Sequence, residues 1–265
     1  MNAMALRAQD VTVRFGGLTA VDSASLEVPP GGFVGLIGPN GAGKTTLFNV
    51  ISGFQIPTAG SVFYGEHDVT SSPASARARL GMGRTFQKLE LFGRMTAFEN
   101  MLTAAEAGAS RVDIVSDLLS LPKRRSEERR CAAIAEEMIE RLELTEMRDR
   151  RAGAVPVGIA RILELGRALC AAPNLLLLDE PSSGLDSDET RRFGELLHAI
   201  NRDMGIGILL VEHDMDLVME VCEHIYVLDF GRMTAHGTAA EVVANPLVRA
   251  AYLGEEEHEA AAPSP

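Results

Sequence analysis

The fold is decided by one stretch of the chain, Gly38-Pro39-Asn40-Gly41-Ala42-Gly43-Lys44-Thr45. It follows a short apolar run, Phe33 to Ile37, which is typical of a buried parallel strand. Residues 44–53 come next and have the pattern of a helix. Because a strand, a glycine-rich loop ending in Lys-Thr and a helix follow one another here, the sequence predicts a phosphate-binding loop in an α/β fold.

Each residue type in this loop suits a nucleotide phosphate. Glycines let the backbone curl until successive N–H groups point at phosphate oxygens, and the following helix adds its N-terminal dipole. Lys44 supplies positive charge to the β and γ phosphates, and the Thr45 hydroxyl can ligate Mg²⁺. We therefore expect ATP and Mg²⁺ to bind here, and the candidate binding residues are Gly38, Pro39, Asn40, Gly41, Ala42, Gly43, Lys44, Thr45 and Thr46.

A second apolar strand, Leu175 to Leu178, ends in two adjacent carboxylates, Asp179 and Glu180. At the carboxyl edge of a parallel sheet, Asp179 is placed to hold Mg²⁺ beside the loop. Glu180 follows it, so its side chain can point toward the γ-phosphate and polarise an attacking water molecule. Paired acids before Pro181 could instead begin a turn, but the complete phosphate-binding loop upstream favours the hydrolytic interpretation.

The rest of the chain extends this core. Apolar runs at 206–211 and 225–228 predict two more strands. Between about 96 and 150 the composition changes to helix formers, with Leu, Met and Ala at helical spacing. Strands that alternate with helices favour a doubly wound α/β core, which this helical insertion interrupts.

The composition, 46% hydrophobic and 23% charged over 265 residues, is that of an ordinary globular protein. A net charge of −12 argues against a surface for nucleic acid, so no nucleic-acid partner is expected. The three cysteines lack C-x-x-C spacing, which argues against a zinc site or a disulfide framework. No apolar run approaches the roughly 18–20 residues that span a bilayer, and the N-terminus lacks the apolar core of a signal peptide.

Further motifs follow in the order in which the ABC ATPase family carries them. After the phosphate-binding loop come Gln87, a segment at 155–161, Asp179-Glu180-Pro181, Ser183-Gly184-Leu185-Asp186 and His213. The chain resembles that family from about residue 6 to residue 254. It is similar in particular to the branched-chain amino-acid importer ATPases of the LivG type, through the local runs Arg14 to Leu18, Lys44 to Gly53, Arg84 to Gln87, Val211 to Met215 and Ala251 to Gly254.

The resemblance implies a P-loop NTPase fold, with 6–254 as a single ATPase domain. The core of the domain, with a mostly parallel sheet and an antiparallel β subdomain, would take up about 6–87 and 166–240. A helical subdomain would be inserted at about 88–165. The last residues, 255–265, are rich in glutamate and end in Ala-Ala-Ala-Pro-Ser-Pro, so we expect a solvated, disordered acidic tail.

The resemblance also implies roles for individual side chains. Phe15 would stack on adenine, with a strand core residue as the alternative. Gln87 would touch Mg²⁺ and the attacking water and report the nucleotide state to a membrane partner. His213 would contact the γ-phosphate and orient Glu180. Asp186 would lie at a dimer seam, opposite the partner's phosphate-binding loop, and it could also cap the helix that begins beside it.

One segment departs from the family pattern. The family usually has Leu-Ser-Gly-Gly-Gln, or Leu-Ser-Tyr-Gly-Gln in this subgroup, where this chain has Val155-Pro156-Val157-Gly158-Ile159. Pro156 removes a hydroxyl and a backbone N–H, and Ile159 replaces a polar amide. In the family this signature segment caps the γ-phosphate held by the other subunit, and one lost hydrogen bond to phosphate costs about 1.5–3 kcal/mol.

We therefore expect an asymmetric dimer, in which a sister ABC ATPase with an intact signature motif completes this chain's loop. The resemblance implies the ATP-hydrolysing motor subunit of an ABC importer for branched-chain or related amino acids. It would be peripheral, at the cytoplasmic face of the cell membrane. Its further partners would be integral membrane permease subunits, docked on Leu89 to Met101, and indirectly a substrate-binding protein.

Other functions stay open at this point. An import system for urea or aromatic acids, or a lipid exporter, could use a similar ATPase, because the ATPase never touches the cargo. A soluble ABC ATPase that remodels ribosomes or DNA ends would be expected to carry two ATPase domains or long coiled-coil insertions, and these 265 residues show neither. A module that senses ATP without hydrolysis is disfavoured by Glu180 and His213.

Overall fold

The computed structural model describes residues 4–85, 87–109, 121–246 and 248–249, with the side chains of 121–124 excepted. The predicted acidic tail at 255–265 and the family-like run at 251–254 lie outside the described residues. The strands are β1 (Leu6–Phe15), β2 (Leu18–Val28), β3 (Phe33–Ile37), β4 (Ala59–Tyr64), β5 (His67–Asp68), β6 (Met82–Arg84), β7 (Leu175–Asp179), β8 (Gly207–Val211), β9 (His224–Asp229) and β10 (Arg232–Gly237). The helices are α1 (Lys44–Ser52), α2 (Ala74–Arg79), α3 (Ala97–Ala109), α4 (Leu121–Arg141), α5 (Val157–Cys170), α6 (Ser187–Met204), α7 (Met215–Val221) and α8 (Ala239–Ala244).

The central sheet has the strand order β10-β9-β3-β8-β7-β6. Strands β9, β3, β8, β7 and β6 run parallel to one another, whereas β10 pairs antiparallel with β9. Strands β3, β7 and β8 are buried at every position, as expected for parallel strands that are covered on both faces. The prediction of a mostly parallel α/β core is confirmed.

A second, antiparallel sheet has the order β2-β1-β4-β5. The long hairpin of β1 and β2 pairs Leu6 with Val28 at one end and Phe15 with Leu18 at the other. Strand β4 pairs with the opposite edge of β1 and returns through the short strand β5. The antiparallel β part that the family resemblance implied is therefore present.

Alternate residues of the central strands point to opposite faces and divide the core in two. Leu176 and Leu178 of β7 face a core that the helices α3 to α7 complete. Leu175 and Leu177 of the same strand, with Leu209 of β8, face a core that is closed by α1 and the antiparallel sheet. The central sheet is thus the middle of three layers, which holds the loops at its carboxyl edge in fixed positions.

In the described residues, the predicted helical insertion contains α3 and α4, which pack against α5. Gly166 of α5 allows the close approach, because a Cβ at this position would lie 2.4 Å from Cε of Met101 and 2.7 Å from Cδ1 of Leu142. The apolar sides of these helices join the larger core. Among the helices of the described residues, none combines the length and apolarity needed to cross a membrane.

Candidate functional site

Four loops meet at the carboxyl edge of the central sheet. The phosphate-binding loop follows β3, His213 follows β8, the acidic pair follows β7, and Gln87 follows β6. Because β3, β8, β7 and β6 are consecutive neighbours in the sheet, their loops lie side by side in that order. Open α/β sheets bind ligands at this edge. Motifs that are up to 175 positions apart in the sequence thus form one line of side chains.

The phosphate-binding loop requires glycine at two positions for steric reasons. Gly38 has φ +154°, and a Cβ there would lie 2.0 Å from the carbonyl oxygen of Leu228. Gly43 has φ +102° at the N-cap of α1, and a Cβ there would lie 2.4 Å from the carbonyl oxygen of Ala20. The loop is therefore held against β9 and β2, with the N-terminus of α1 facing the space where a phosphate would bind.

Lys44 is the charged residue of this loop, and its side chain is almost fully buried. Its Nζ donates to the carbonyl oxygens of Gly38, at 2.5 Å, and Pro39, at 3.0 Å. Asn40 and Thr45 are exposed beside it, while Ala42 is buried and Thr46 is half-buried. A buried ammonium group above a helix N-terminus fits an anionic ligand, so the residues present suit a nucleotide phosphate.

Asp179 ends β7 as a buried carboxylate beside this loop. Burial raises its pKa from 3.8 to about 6, and the guanidinium of Arg84, 3.5 Å from Oδ2, opposes that rise. The negative charges of Glu180 and Glu212 add to the rise, whereas Lys44 opposes it. A buried carboxylate with a hydroxyl residue nearby in the adjoining loop suits Mg²⁺, which binds oxygen ligands.

Arg84 connects Asp179 to the end of α1, which the sequence patterns did not reveal. Its guanidinium donates to Oδ1 of Asn49 at 3.2 Å and to Oγ of Ser52 at 2.5 Å. It also lies over the rings of Phe48 and Phe54, 4.7 Å and 4.6 Å from their centroids. The one available signal was its place in the family-like run ending at Gln87, because the contacts themselves depend on β6 lying beside β7.

Glu180 and Gln87 are in direct contact. Nε2 of Gln87 donates to Oε2 of Glu180 at 2.8 Å, although the two residues are 93 positions apart. Glu180 has φ +46°, a left-handed conformation that non-glycine residues seldom adopt and that is common at functional sites. Its backbone N–H donates to the carbonyl oxygen of Val211 at 2.8 Å, which places it next to the loop after β8.

His213 lies in that neighbouring loop with 60% of its side chain exposed. Beneath it is Glu212, which is fully buried and which the sequence patterns did not single out. Oε2 of Glu212 lies 3.5 Å from Nδ1 of His213. The structure therefore brings the predicted residues Gln87, Glu180, Asp179 and His213 to one edge and adds a buried carboxylate behind them.

The sequence left two possible roles each for Phe15 and Asp186, and their positions in the structure bear on both. Phe15 ends β1 with 53% of its surface exposed, so the interpretation as a strand core residue is wrong. The reason is that the hairpin turn at 16–17 lies beyond the edge of the core, and a free ring face there can accept a base. Asp186 is the N-cap of α6 and forms a capping box with Glu189, so its structural alternative is confirmed.

The signature segment leads into α5. Pro156 is the N-cap residue, with φ −57° and ψ 156°, and it provides no side-chain hydrogen bond to the helix. Val157 is 47% exposed, so the segment presents an apolar side chain at the start of the helix. Gly158 lies against α6, where a Cβ would be 2.7 Å from Oε1 of Glu189. Proline thus fits the helix start sterically but leaves the position without a hydroxyl donor.

Arg161, one turn into α5, connects the helix after the signature segment to the loops that carry Gln87 and Ser183. Its Nη2 donates to the carbonyl oxygens of Gln87, at 3.0 Å, and Ser183, at 3.1 Å. Its Nη1 lies 3.4 Å from Oε2 of Glu164, and both side chains are buried. The start of α5 is therefore bonded to the loop that carries Gln87 and to the loop that carries Ser183.

The predicted docking segment, Leu89 to Met101, has its exposed apolar side chains in its first half. Leu89, Phe92 and Met95 are 38%, 46% and 38% exposed. Met101 is completely buried, so the segment as predicted is too long. The reason is that α3 begins at Ala97 and turns its apolar side toward α5.

Comparison with known proteins agrees with this geometry. The family model described as ABC transporter matches residues 21–183, and the model described as branched-chain amino acid ATP-binding cassette transporter matches residues 235–258. The high-affinity branched-chain amino acid transport ATP-binding protein LivG of Escherichia coli strain K12 is 40% identical over 255 residues, which are 96% of this chain and 100% of LivG. The corresponding protein BraF of Pseudomonas aeruginosa is 39% identical with the same coverage.

Solved structures give the same result. A nucleotide-free ATP-binding cassette from an ABC transporter has a TM-score of 0.80 at 30% identity, over 94% of this chain and 98% of that chain. An ATP-binding cassette in its ADP conformation also has a TM-score of 0.80 at 30% identity, over 96% of this chain and 100% of that chain.

The fold and the site define a P-loop nucleotide-binding ATPase. Within that class, the chain belongs to the ABC transporter ATP-binding cassette family. Its activity is ATP hydrolysis coupled to transport.

Proposed function

We propose that this protein is the motor subunit of an ABC importer for branched-chain or related amino acids. The observation that carries the proposal is the 40% identity to LivG over the full length of that protein, which extends through the segment after β10. The lipopolysaccharide export ATPase LptB of Escherichia coli strain K12 is 33% identical over 251 residues, so a lipid export role has weaker support. The ATPase does not touch the cargo, and transport assays must decide the substrate.

At the catalytic edge, we assign Glu180 as the base that polarises the attacking water. Its contact with Gln87 supports this role, because a water-positioning amide must lie beside the base. Asp179, Thr45 and Gln87 would hold Mg²⁺, which would neutralise phosphate charge when bound. In these assignments, the carboxylate of Asp179, the amide of Gln87 and the hydroxyl of Thr45 would lie around the same phosphate.

The remaining assignments concern the rest of the nucleotide. Residues Gly38 to Thr46 would bind the phosphates, with Lys44 turning from its own loop carbonyls to the β and γ phosphates. His213 would contact the γ-phosphate from the loop after β8. The exposed ring of Phe15 would stack on adenine. Asp186 would lie at the dimer seam while its carboxylate also caps α6.

We further propose that the ATPase dimer is asymmetric. The support is the contrast between the complete set of hydrolytic side chains at the sheet edge and the altered segment Val155 to Ile159. A sister ATPase with an intact signature motif would complete the site that contains Glu180. The reciprocal site, capped by Pro156 and Val157 of this chain, would bind ATP and turn over slowly.

The other partners follow from the transport role. Integral membrane permease subunits would dock on the exposed apolar residues Leu89, Phe92 and Met95, next to Gln87, with the protein peripheral at the cytoplasmic face of the membrane. A substrate-binding protein would take part indirectly. The net charge of −12 gives no support to a nucleic-acid partner.

The proposed chemistry is tested by Glu180→Gln in the full-length chain, purified with the proteins that assemble with it. We expect ATP binding to persist while phosphate release falls by about 10²–10⁴-fold, because an amide cannot accept the proton. The measurements are steady-state phosphate release and equilibrium binding of ATP.

The control is Glu195→Gln, a neutralisation of an exposed carboxylate in α6. We expect this variant to keep normal turnover. Normal turnover by Glu180→Gln would instead remove Glu180 as the base. Uptake of radiolabelled leucine by the reconstituted complex tests the substrate class, and transport of lipid alone would contradict it.

A further inference from the structure

Glu212 is a fully buried carboxylate directly behind the catalytic edge. We propose that it is a positioning residue, whose two carboxylate oxygens hold the loop after Glu180 and the loop of His213 in register. The inference rests on the proposed roles of Glu180 and His213. It assigns no chemical step to Glu212 itself.

The contacts of Glu212 are divided between the two loops. Oε1 accepts hydrogen bonds from the backbone N–H of Ser182 at 2.9 Å and from its Oγ at 2.7 Å. Oε2 accepts from the backbone N–H of His213 at 3.1 Å and lies 3.5 Å from Nδ1 of the same residue. One side chain thus joins the segment after β7 to the segment after β8.

A carboxylate is the group that this position requires. The two backbone N–H groups can only donate, so each needs an oxygen atom opposite it. A glutamine would offer one oxygen and one NH₂ group, and in either orientation the NH₂ would face a backbone donor. A buried polar group left in such a contact is costly, so the loops would shift to relieve it.

The position of the contacts explains why such a shift matters for turnover. Ser182 is two residues after Glu180, whose own N–H bonds the carbonyl oxygen of Val211 at 2.8 Å. On the other side, Oε2 of Glu212 accepts from the backbone N–H of His213 and lies 3.5 Å from Nδ1, so Nε2 is the ring nitrogen on the side away from Glu212. Glu212 therefore determines the spacing of the base and the imidazole.

The test compares Glu212→Gln and Glu212→Asp in the full-length chain, purified with the proteins that assemble with it. Glutamine preserves the shape, whereas aspartate preserves two acceptor oxygens. We expect Glu212→Gln to lower kcat by about 100-fold, the effect of misplacing a catalytic group by an ångström, with KM for ATP changed by less than about threefold. Aspartate should restore part of the lost kcat.

Three further measurements separate positioning from stability. Nitrogen-15 spectra should show the backbone amide signals of Ser182 and His213 shifted in Glu212→Gln, because both N–H groups donate to this carboxylate in the native protein. Ser182→Ala removes one donor only and should lower kcat by roughly threefold. Urea unfolding of each variant shows whether the loss of turnover follows the loss of stability.

The inference is overturned if Glu212→Gln keeps kcat within about threefold of the native value, or if the backbone amide signals of Ser182 and His213 are unchanged. It is also overturned if glutamine supports faster turnover than aspartate, since shape would then matter more than acceptors. The proposed function fails separately, through normal turnover by Glu180→Gln or His213→Ala. If Glu212→Gln does not fold, the aspartate and Ser182→Ala variants give the decisive comparison.

Discussion

At the scale of single residues, Asp179 shows how environment prepares a side chain for a cation. Burial at the end of β7 raises its pKa from 3.8 to about 6, despite the guanidinium of Arg84 3.5 Å away. A bound divalent cation would stabilise the charged carboxylate much more strongly than the single charge of Arg84 does. The protonation of one carboxylate therefore connects pH, stability and metal binding.

Without nucleotide or metal, we predict that Asp179 makes the protein less stable as the pH rises. The folded state holds the proton of Asp179 up to about pH 6, whereas the unfolded chain releases it near pH 3.8. Between these values the folded state binds more protons, so the free energy of unfolding falls with rising pH, by about 3 kcal/mol in all. Asp179→Asn should remove this contribution, and urea unfolding from pH 4 to pH 7.5 measures it.

The comparison of native protein and variant cancels the effect of the other titrating groups. Asp179→Asn should be the more stable protein at pH 7 in the absence of ligands, and the difference should shrink toward pH 4. Saturating Mg²⁺ and ATP should reverse the order, because the carboxylate then has a cation partner. A difference that stays constant across this pH range would contradict the prediction.

At the scale of elements, the helices α6 and α8 begin with the same hydrogen-bond motif. Asp186 and Glu189 form a capping box at the start of α6, and Thr238 and Glu241 form one at the start of α8. Both satisfy backbone N–H groups that a helix leaves without partners in its first turn. The pair offers a matched comparison, because we place the first at the dimer seam and assign the second no part in catalysis.

We predict that the cap of α6 and its proposed role at the seam can be separated. Asp186→Ala should lower the free energy of unfolding by about 1 kcal/mol, whereas Asp186→Ser keeps a capping oxygen and should stay within about 0.5 kcal/mol of the native value. Both should lower ATP turnover, because serine lacks the charge proposed to act at the seam. Thermal unfolding and phosphate release of each variant provide the test.

Thr238→Ala serves as the control. We expect it to lose a similar amount of stability and to keep the native rate of ATP turnover. If Asp186→Ser turned over ATP at the native rate, Asp186 would be a helix cap and nothing more. If Thr238→Ala reduced turnover as strongly as Asp186→Ala, the lower turnover would result from lower stability and not from a role of Asp186 at the dimer seam.

At the scale of the whole molecule, the carboxyl edge of the central sheet carries every residue that we propose for hydrolysis, whereas the signature segment Val155 to Ile159 departs from the family pattern. The edge carries the phosphate-binding loop, Asp179, Glu180, Gln87 and His213 together. The signature helix α5 keeps the buried Arg161 that bonds the carbonyl oxygens of Gln87 and Ser183, but begins at Pro156 without a capping hydroxyl. The start of α5 is thus bonded to the loops of Gln87 and Ser183, while the segment Val155 to Ile159 departs from the family pattern.

Repair of the signature should therefore raise turnover by the chain on its own. We predict that Pro156→Ser combined with Ile159→Gln increases phosphate release by about tenfold or more, the rate equivalent of one or two restored hydrogen bonds to phosphate. The reason is that two copies of the repaired chain could complete each other's sites. The measurement is turnover against protein concentration, because a site shared between copies gives a steeper than linear dependence.

The matched control adds Glu180→Gln to the repaired chain and should abolish the gain. If the repaired chain hydrolysed ATP no faster than the native chain, the altered signature would not be what limits it. If the native chain alone already matched its rate in the complete complex, the asymmetric dimer would be contradicted.

Local chemistry made much of this protein predictable. The loop Gly38 to Thr45 and the pair Asp179 and Glu180 are short motifs, in which adjacent residues and their flanking strands together determine the function. The parallel core was predictable because apolar runs bounded by glycine and charge show strands that are buried on both faces. The altered signature at Val155 to Ile159 was likewise visible in the sequence alone.

Only the tertiary structure decided the contacts between distant segments. The pairing of β7 with β8 brings Ser182 to Glu212, and the pairing of β6 with β7 brings Arg84 to Asp179. It also decided that Phe15 is exposed, since burial depends on where a hairpin ends relative to the core. The physical reason is that hydrogen bonds and burial are set by three-dimensional neighbours, whereas a sequence records only the neighbours along the chain.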